Sequence, residues 1–152
     1  MAVDVVSELV IQSPIGTVSD YAAQPDNAPV WYQNIESVEW ETEPPLAVGS
    51  RVVFVARFLG RRLEYTYEIR HFEPGSRLVM ATSQGPFPME TTYSWSAEGD
   101  SSTRMSLRNR GQPSGFSRMT APVLAAAMRR ANQKDLDNLR SIMERGEQLK
   151  IS

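Results

Sequence analysis

The sequence predicts an α+β domain in which a curved antiparallel sheet of about seven strands wraps around one long C-terminal helix. Three observations carry this. From about Ser117 to Arg145 apolar side chains recur at helical spacing. The chain before it falls into short runs that alternate apolar and polar residues with a period of two. Those runs are joined mostly by tight turns, which force antiparallel neighbours because parallel pairs need long crossovers. The order is strand, two short helices, six strands and the long helix.

Val3 to Gln12 is rich in valine and isoleucine and reads as the first strand. Ser13-Pro14 breaks it, and Pro14 suits the first turn of a short helix reaching Ala23, with Val18 and Tyr21 buried. Gln24-Pro25-Asp26-Asn27 is a turn cluster leading to a short helical or looped piece with Trp31 and Tyr32. Ile35 to Glu43 sets Val38 and Trp40 against Glu39 and Glu41, and Pro44-Pro45 ends it. Arg51 to Leu59 puts Val52, Phe54, Ala56 and Phe58 on one face. Gly60-Arg61 is a connection of hairpin length. Its partner strand alternates Leu63, Tyr65, Tyr67 and Ile69 with Arg62, Glu64, Thr66, Glu68 and Arg70, the cleanest period of two in the chain. Arg77 to Ser83 is a short strand. Met89, Thr91, Tyr93 and Trp95, then Thr103, Met105, Leu107 and Asn109, give two more inner faces.

Gly111 to Gly115 is the hinge into the long helix. Leu124, Met128, Ala131, Leu139 and Ile142 form its stripe, with Leu136 and Met143 alongside. Arg129, Arg130, Gln133, Lys134, Asp137, Arg140, Ser141 and Glu144 fill the other face. About 29 residues at ~1.5 Å each would span roughly 44 Å. Pro122 implies a kink, or a start delayed to Thr120 as N-cap. Gly146 is the expected stop. Ala121, Ala125, Ala126, Ala127 and Ala131 either express helix propensity alone or leave volume unfilled between helix and sheet.

Bulk properties narrow the classes. A chain of 152 residues is one domain, taken as residues 1–146 with a loosely ordered tail at 147–152. A net charge of −2 gives no push toward nucleic acid or anionic membrane. Cysteine is absent and His71 is the single histidine, so neither a disulfide framework nor a transition-metal site is expected. No apolar run reaches the ~18 residues of a spanning helix. Asp4 and Glu8 do not fit a signal peptide, and a cytoplasmic protein, monomer or homodimer, is expected. No glycine pattern cradles phosphate, and no other cofactor is implied. Aromatic and basic residues fall on opposite strand faces, against a stacking platform for nucleic acid.

The predicted interior is unusually aromatic and partly polar. Trp40, Phe54, Phe58, Tyr65, Tyr67, Met89, Tyr93 and Trp95 would wall a small-molecule site together with Leu124, Ala127 and Met128 of the helix. Thr82, Thr91, Asn109 and the tyrosine hydroxyls would orient the ligand. On the outer surface, Glu36, Glu39, Glu41 and Glu43 could pair with Arg104, Arg108 and Arg110 if their strands were neighbours, but both runs read as solvated faces that contribute little to stability.

At this level the chain resembles the START-related, Bet v 1-like superfamily (SRPBCC) with the helix-grip fold, and within it the bacterial polyketide cyclase/dehydrase-type proteins. The likeness rests on Ile11-Gln12-Ser13-Pro14, on Gln24-Pro25-Asp26-Asn27-Ala28-Pro29-Val30-Trp31, and on Val48-Gly49-Ser50. It continues through Tyr67-Glu68-Ile69 with Glu73-Pro74 and Asp135-Leu136-Asp137-Asn138-Leu139. The resemblance implies binding or carriage of a hydrophobic, partly oxygenated molecule, lipid- or polyketide-like. It also implies an enzymatic alternative, cyclisation or dehydration of a polyketide-like substrate in the same cavity. If the strand period holds, His71 follows Ile69 inward and would serve as general base, with Tyr67 donating to a developing enolate. A third alternative is a protein-interaction module with a filled core.

Overall fold

The computed structural model describes residues 2–114 and 120–151. Strand β1 (Val3–Ile11) is followed by helix α1 (Ile15–Ala23), a 3-10 turn at Pro25–Asn27 and helix α2 (Ala28–Trp31). Strands β2 (Ile35–Trp40), β3 (Arg51–Phe58), β4 (Arg61–Glu73), β5 (Arg77–Gln84), β6 (Met89–Ala97) and β7 (Thr103–Gly111) come next. Helix α3 (Ala121–Ile151) ends the chain. The strands form one antiparallel sheet in the order β1-β7-β6-β5-β4-β3-β2, so every sequential neighbour from β2 to β7 is also a spatial one. The predicted element order and fold class are what the structure has.

Burial follows the period of two. Val3, Val5, Ser7, Leu9 and Ile11 are buried along β1, with exposed Asp4, Val6 and Glu8 between them. The β3–β4 hairpin turns on Leu59 and Gly60, both at positive φ (51° and 77°), one residue earlier than the predicted connection. That conformation is cheap for glycine and unfavourable for leucine.

Helix α3 lies along β1 and closes the concave side of the sheet. Thr120 accepts the first helical hydrogen bond, from Leu124 N at 3.0 Å, which places it at the N-cap. Pro122 falls in the first turn, where no amide hydrogen is needed. Residues 117–119 of the expected helix and the end of the hinge at Gly115 lie outside the described residues. At the other end the predicted stop is corrected: the helix passes through Gly146 to Ile151. Tertiary contacts override the glycine there. Glu144 accepts a hydrogen bond from Gln12 N at 2.8 Å and Glu147 one from the Ser13 hydroxyl at 3.0 Å. No helix among the described residues is long and apolar enough to cross a membrane.

One further expectation is corrected. β4 carries an irregularity between Ile69 and His71: Ile69 stands opposite Met80, but His71 stands opposite Val79 and Phe72 opposite Leu78. Facing residues in a ladder share a face, so the bulge passes the inner position from His71 to Phe72. His71 therefore points outward, its side chain 43% exposed and its Nε2 2.9 Å from Glu73 Oε1. The acidic strand and the arginine strand are not neighbours, and both present solvated faces, as read from the sequence. Arg104 pairs with Glu8 and Glu98, Arg108 with Asp4 and Arg110 with Glu90, while Glu36 pairs with Arg57 and Glu41 with Arg51. All are surface pairs, worth about 0–1 kcal/mol each.

Candidate functional site

The buried apolar side chains fall into two clusters that do not merge. One gathers Trp31, Val52, Phe54, Met80, Tyr93, Trp95, Met105 and Leu136 with the short helices. The other gathers Val3, Val5, Leu63, Tyr65, Phe87, Met89, Leu124 and Met128. Between them lies a cavity of about 150 Å³. One water occupies at least ~10–15 Å³ of such volume, so there is room for roughly ten. The filled-core expectation fails on this volume.

The walls come from the alternation. Phe54, Ala56 and Phe58 of β3, Leu63, Tyr65 and Tyr67 of β4, Met80 of β5 and Met89, Thr91 and Tyr93 of β6 line one side. Asn109 of β7 and Leu124, Met128, Ala131, Asn132 and Asp135 of α3 line the other. Tyr32, Asn34, Ile35, Arg57, Phe87 and Pro113 complete the lining. Phe54 and Tyr67 meet edge-on at 5.5 Å between centroids, as do Tyr65 and Phe87 at 5.6 Å.

Ten of the sequence-predicted binding residues line this cavity: Phe54, Phe58, Tyr65, Tyr67, Met89, Thr91, Tyr93, Asn109, Leu124 and Met128. Four others do not. Trp40 is on β2, packed against the first cluster, with its indole N–H donating to Asp26 Oδ1 at 3.1 Å. Trp95 is buried in that same cluster, beyond Tyr93. Thr82 faces inward opposite Tyr67, but its hydroxyl accepts from Met89 N at 3.0 Å and fixes the β5–β6 connection. Ala127 sits on the flank of the helix stripe, and Ala131, one turn on, lines the cavity instead. His71 is outside altogether, which separates it from Tyr67 as a working pair.

The polar groups gather at one pole, where α3 meets β6, β7 and the residues after α2. Tyr32 and Tyr93 share a hydrogen bond of 2.6 Å between hydroxyls. Thr91 Oγ1 lies 3.3 Å from the Tyr67 hydroxyl and donates to Asn109 Oδ1 at 2.5 Å. Asn109 Nδ2 donates to Asn132 Oδ1 at 3.1 Å. Asn132 Nδ2 is buried with no hydrogen-bond partner among the described residues. Asp135, one turn beyond Asn132 and only 2% exposed, accepts from Gln33 N at 2.9 Å. Burial pushes its carboxyl up to about 7, against the lowering pull of that backbone N–H. Burial also raises Tyr32, Tyr67 and Tyr93 above the usual phenol range, so all three are neutral donors.

Asn132 and Asp135 were not among the predicted site residues. Their signal was present in the spacing: with Leu124, Met128, Leu136 and Leu139 they occupy one buried helical stripe. A carboxylate and an amide on the apolar side of an amphipathic helix need partners or a function. Arg57 is the other charged residue of the lining. It stands at the rim, its side chain 60% exposed and paired with Glu36. No group of three or more His, Asp or Glu that could hold a metal ion occurs among the described residues. Chemically, the site offers apolar walls, several hydroxyl and amide groups, and one carboxyl that both gives and takes a proton near neutrality.

A family model described as polyketide cyclase / dehydrase and lipid transport matches residues 2–144. No curated protein matches the chain. Among solved structures it is similar to a START superfamily protein from Mycobacterium smegmatis. That pair has a TM-score of 0.82 at 12% identity, covering 93% of this chain and 97% of the other. It is similar to the Zhui aromatase/cyclase from Streptomyces sp. R1128, with a TM-score of 0.78 at 16% identity and 95% of each chain covered. A ginseng major latex-like protein 151 from Panax ginseng gives a TM-score of 0.75 at 12% identity, covering 93% of this chain and 97% of that one. At these identities the likeness is one of fold.

Proposed function

The chain belongs to the polyketide cyclase / dehydrase and lipid transport family, of the START/Bet v 1-like superfamily, and from that premise we propose that it binds an apolar, oxygenated small molecule. The observation that carries this is the cavity itself: about 150 Å³ between two core clusters, apolar on its walls and polar at one pole. Burying ~300 Å² of apolar ligand surface contributes roughly 7–8 kcal/mol at about 25 cal/mol per Å². Association costs of at least ~4 kcal/mol come off that. A few hydrogen bonds at the polar pole then suffice for micromolar binding.

The test is titration with an apolar fluorescent probe, expected to saturate at one per chain. Ala131→Trp places a bulky ring in the lining and should abolish binding with the circular dichroism spectrum unchanged. Full probe binding by that folded variant would refute the site.

Asp135 supports a second reading, catalysis in the same cavity. A carboxyl held near neutrality by burial can act as general acid or base on a carbonyl-containing ligand, with whichever of Tyr32 and Tyr93 accepts their shared hydrogen bond free to donate to a developing oxyanion. Its discriminator is turnover of a β-hydroxy ketone, dependent on pH around 7 and lost in Asp135→Asn. Turnover unchanged in that variant would exclude the mechanism.

A further inference from the structure

The net charge of −2 is spread unevenly. Strand order puts three connections at one end of the sheet: Leu59-Gly60 between β3 and β4, residues 85–88 between β5 and β6, and residues 112–114 after β7. Helix α3 begins at the same end, because its far end meets Gln12 and Ser13 beyond β1. Hydrogen bonds tie the connections into one surface. Arg61 Nη1 donates to Ser114 O at 2.6 Å, Ser114 Oγ to Pro86 O at 3.4 Å and Gln112 N to Pro88 O at 3.1 Å. Residues 57–62, 84–88, 111–114 and 120–134 make up this end. They hold Arg57, Arg61, Arg62, Arg129, Arg130 and Lys134, and all 18 acidic residues lie elsewhere in the chain. Of the acids nearest in sequence, Glu90 pairs with Arg110, Asp135 is buried and Glu64 stands exposed.

The arginines of β7 all have carboxylate partners, but Arg62, Arg129, Arg130 and Lys134 are exposed and form no ion pair among the described residues. Arg62 stands directly opposite Arg57 in the ladder, a like-charge pair that costs stability. Two aliphatic side chains project from the same end. Leu59 is 50% exposed at φ 51°, and Val123 is 54% exposed. A leucine that is both strained and in water contributes little to the fold, and such a residue points to a role outside it. Behind this end lies the cavity: Phe58, Phe87, Pro113 and Leu124, one from each of the four segments, line it.

We propose that this end of the molecule is a docking face for an anionic phospholipid bilayer. Aliphatic tips between two basic flanks match the layers of such a surface. Leu59 and Val123 reach the acyl boundary, while the hairpin arginines on one side and Arg129, Arg130 and Lys134 on the other meet phosphate. Four of these cations leave no carboxylate partner behind when they do so. An acidic protein surface answers the cations but not the aliphatic tips. Docking is peripheral and keeps the fold intact. The inference goes beyond ligand binding and does not need an occupied cavity.

The test is co-sedimentation of the native chain with sucrose-loaded vesicles, either pure phosphatidylcholine or equal parts phosphatidylcholine and phosphatidylglycerol. The chain should bind the anionic vesicles at about 50 mM salt, release them at about 0.5 M, and ignore the zwitterionic ones. Arg129→Ala combined with Arg130→Ala should weaken partition about tenfold. Leu59→Gly should weaken it about fivefold while the thermal midpoint holds or rises, which separates docking from folding. Arg77→Ala makes a single charge change at the opposite end of the sheet and should alter partition by less than about twofold. No binding to anionic vesicles at low salt overturns the proposal. So does a loss in Arg77→Ala as large as in the arginine double variant, the mark of general charge attraction. An unmoved partition in the folded double variant or in Leu59→Gly overturns it too. Binding of poly-L-glutamate in place of vesicles, lost in the double variant and indifferent to Leu59→Gly, assigns the face to an acidic protein and overturns the bilayer. Probe binding in the cavity is measured separately, so each reading fails on its own result.

Discussion

Replacing Asp135 with asparagine should make the protein more stable, and most so at neutral to alkaline pH. The carboxyl is 2% exposed and held by one backbone donor, Gln33 N–H. Neutral Tyr32 and Tyr93 are its phenolic neighbours at the pole. Its proton affinity rises from an ordinary 3.8 to about 7 on folding. Below pH ~4 the group is protonated in both folded and unfolded chains and favours neither. Between the two values the folded chain holds a proton that the unfolded chain has lost, so stability falls as pH rises. Above pH ~7 both are ionised and the penalty is complete. At 1.36 kcal/mol per unit the shift corresponds to about 4 kcal/mol, an upper figure because a cavity able to hold water adjoins the group. We expect about 2–4 kcal/mol. Asparagine keeps an oxygen for Gln33 and cannot ionise. Urea unfolding at pH 5 and pH 8 measures this directly. Asp135→Asn should gain about 2–4 kcal/mol on the native chain at pH 8 and distinctly less at pH 5. Equal differences at both pH values, or a larger gain at pH 5, would refute the burial argument.

Other perturbations are as definite. Gly146→Ala should raise stability by about 0.5–1 kcal/mol in thermal or urea unfolding, because the helix continues through this position and an added Cβ meets nothing within 4 Å. Gly111→Ala should destabilise by more than about 2 kcal/mol, since its Cβ would fall 2.2 Å from Pro88 O and 2.5 Å from Met89 Sδ. Crystallography of that variant should show the β6–β7 end, which helps to line the cavity, displaced. His71→Ala should leave probe affinity and any turnover unchanged within about twofold, as an outward, exposed side chain away from the cavity does.

The sequence carried the architecture because two strong periodicities and short turns leave few arrangements that bury one face of each strand. The same periodicity placed Phe54, Tyr65, Tyr67, Thr91 and Tyr93 on the cavity side correctly. It failed where the ladder departs from period two. The irregularity before His71 moves that residue to the outer face, and no residue type around it announces a bulge. Trp40 and Trp95 were assigned to the right face, but position along a strand decides whether a side chain meets the cavity or the first core cluster. That depends on how α1, α2 and α3 divide the concave surface, which is a long-range property. Asn132 and Asp135 were legible in principle, from polar residues in a buried helical phase. Apolar spacing alone passes over them.

The central claim is that the space between the two clusters is a binding site and not a packing defect. Native mass spectrometry of the chain purified from its own host tests it most directly. A population carrying one small molecule per chain, released on denaturation and absent from Ala131→Trp, is expected. Protein that is entirely free of adduct, and that takes up no apolar ketone when one is supplied, would contradict it.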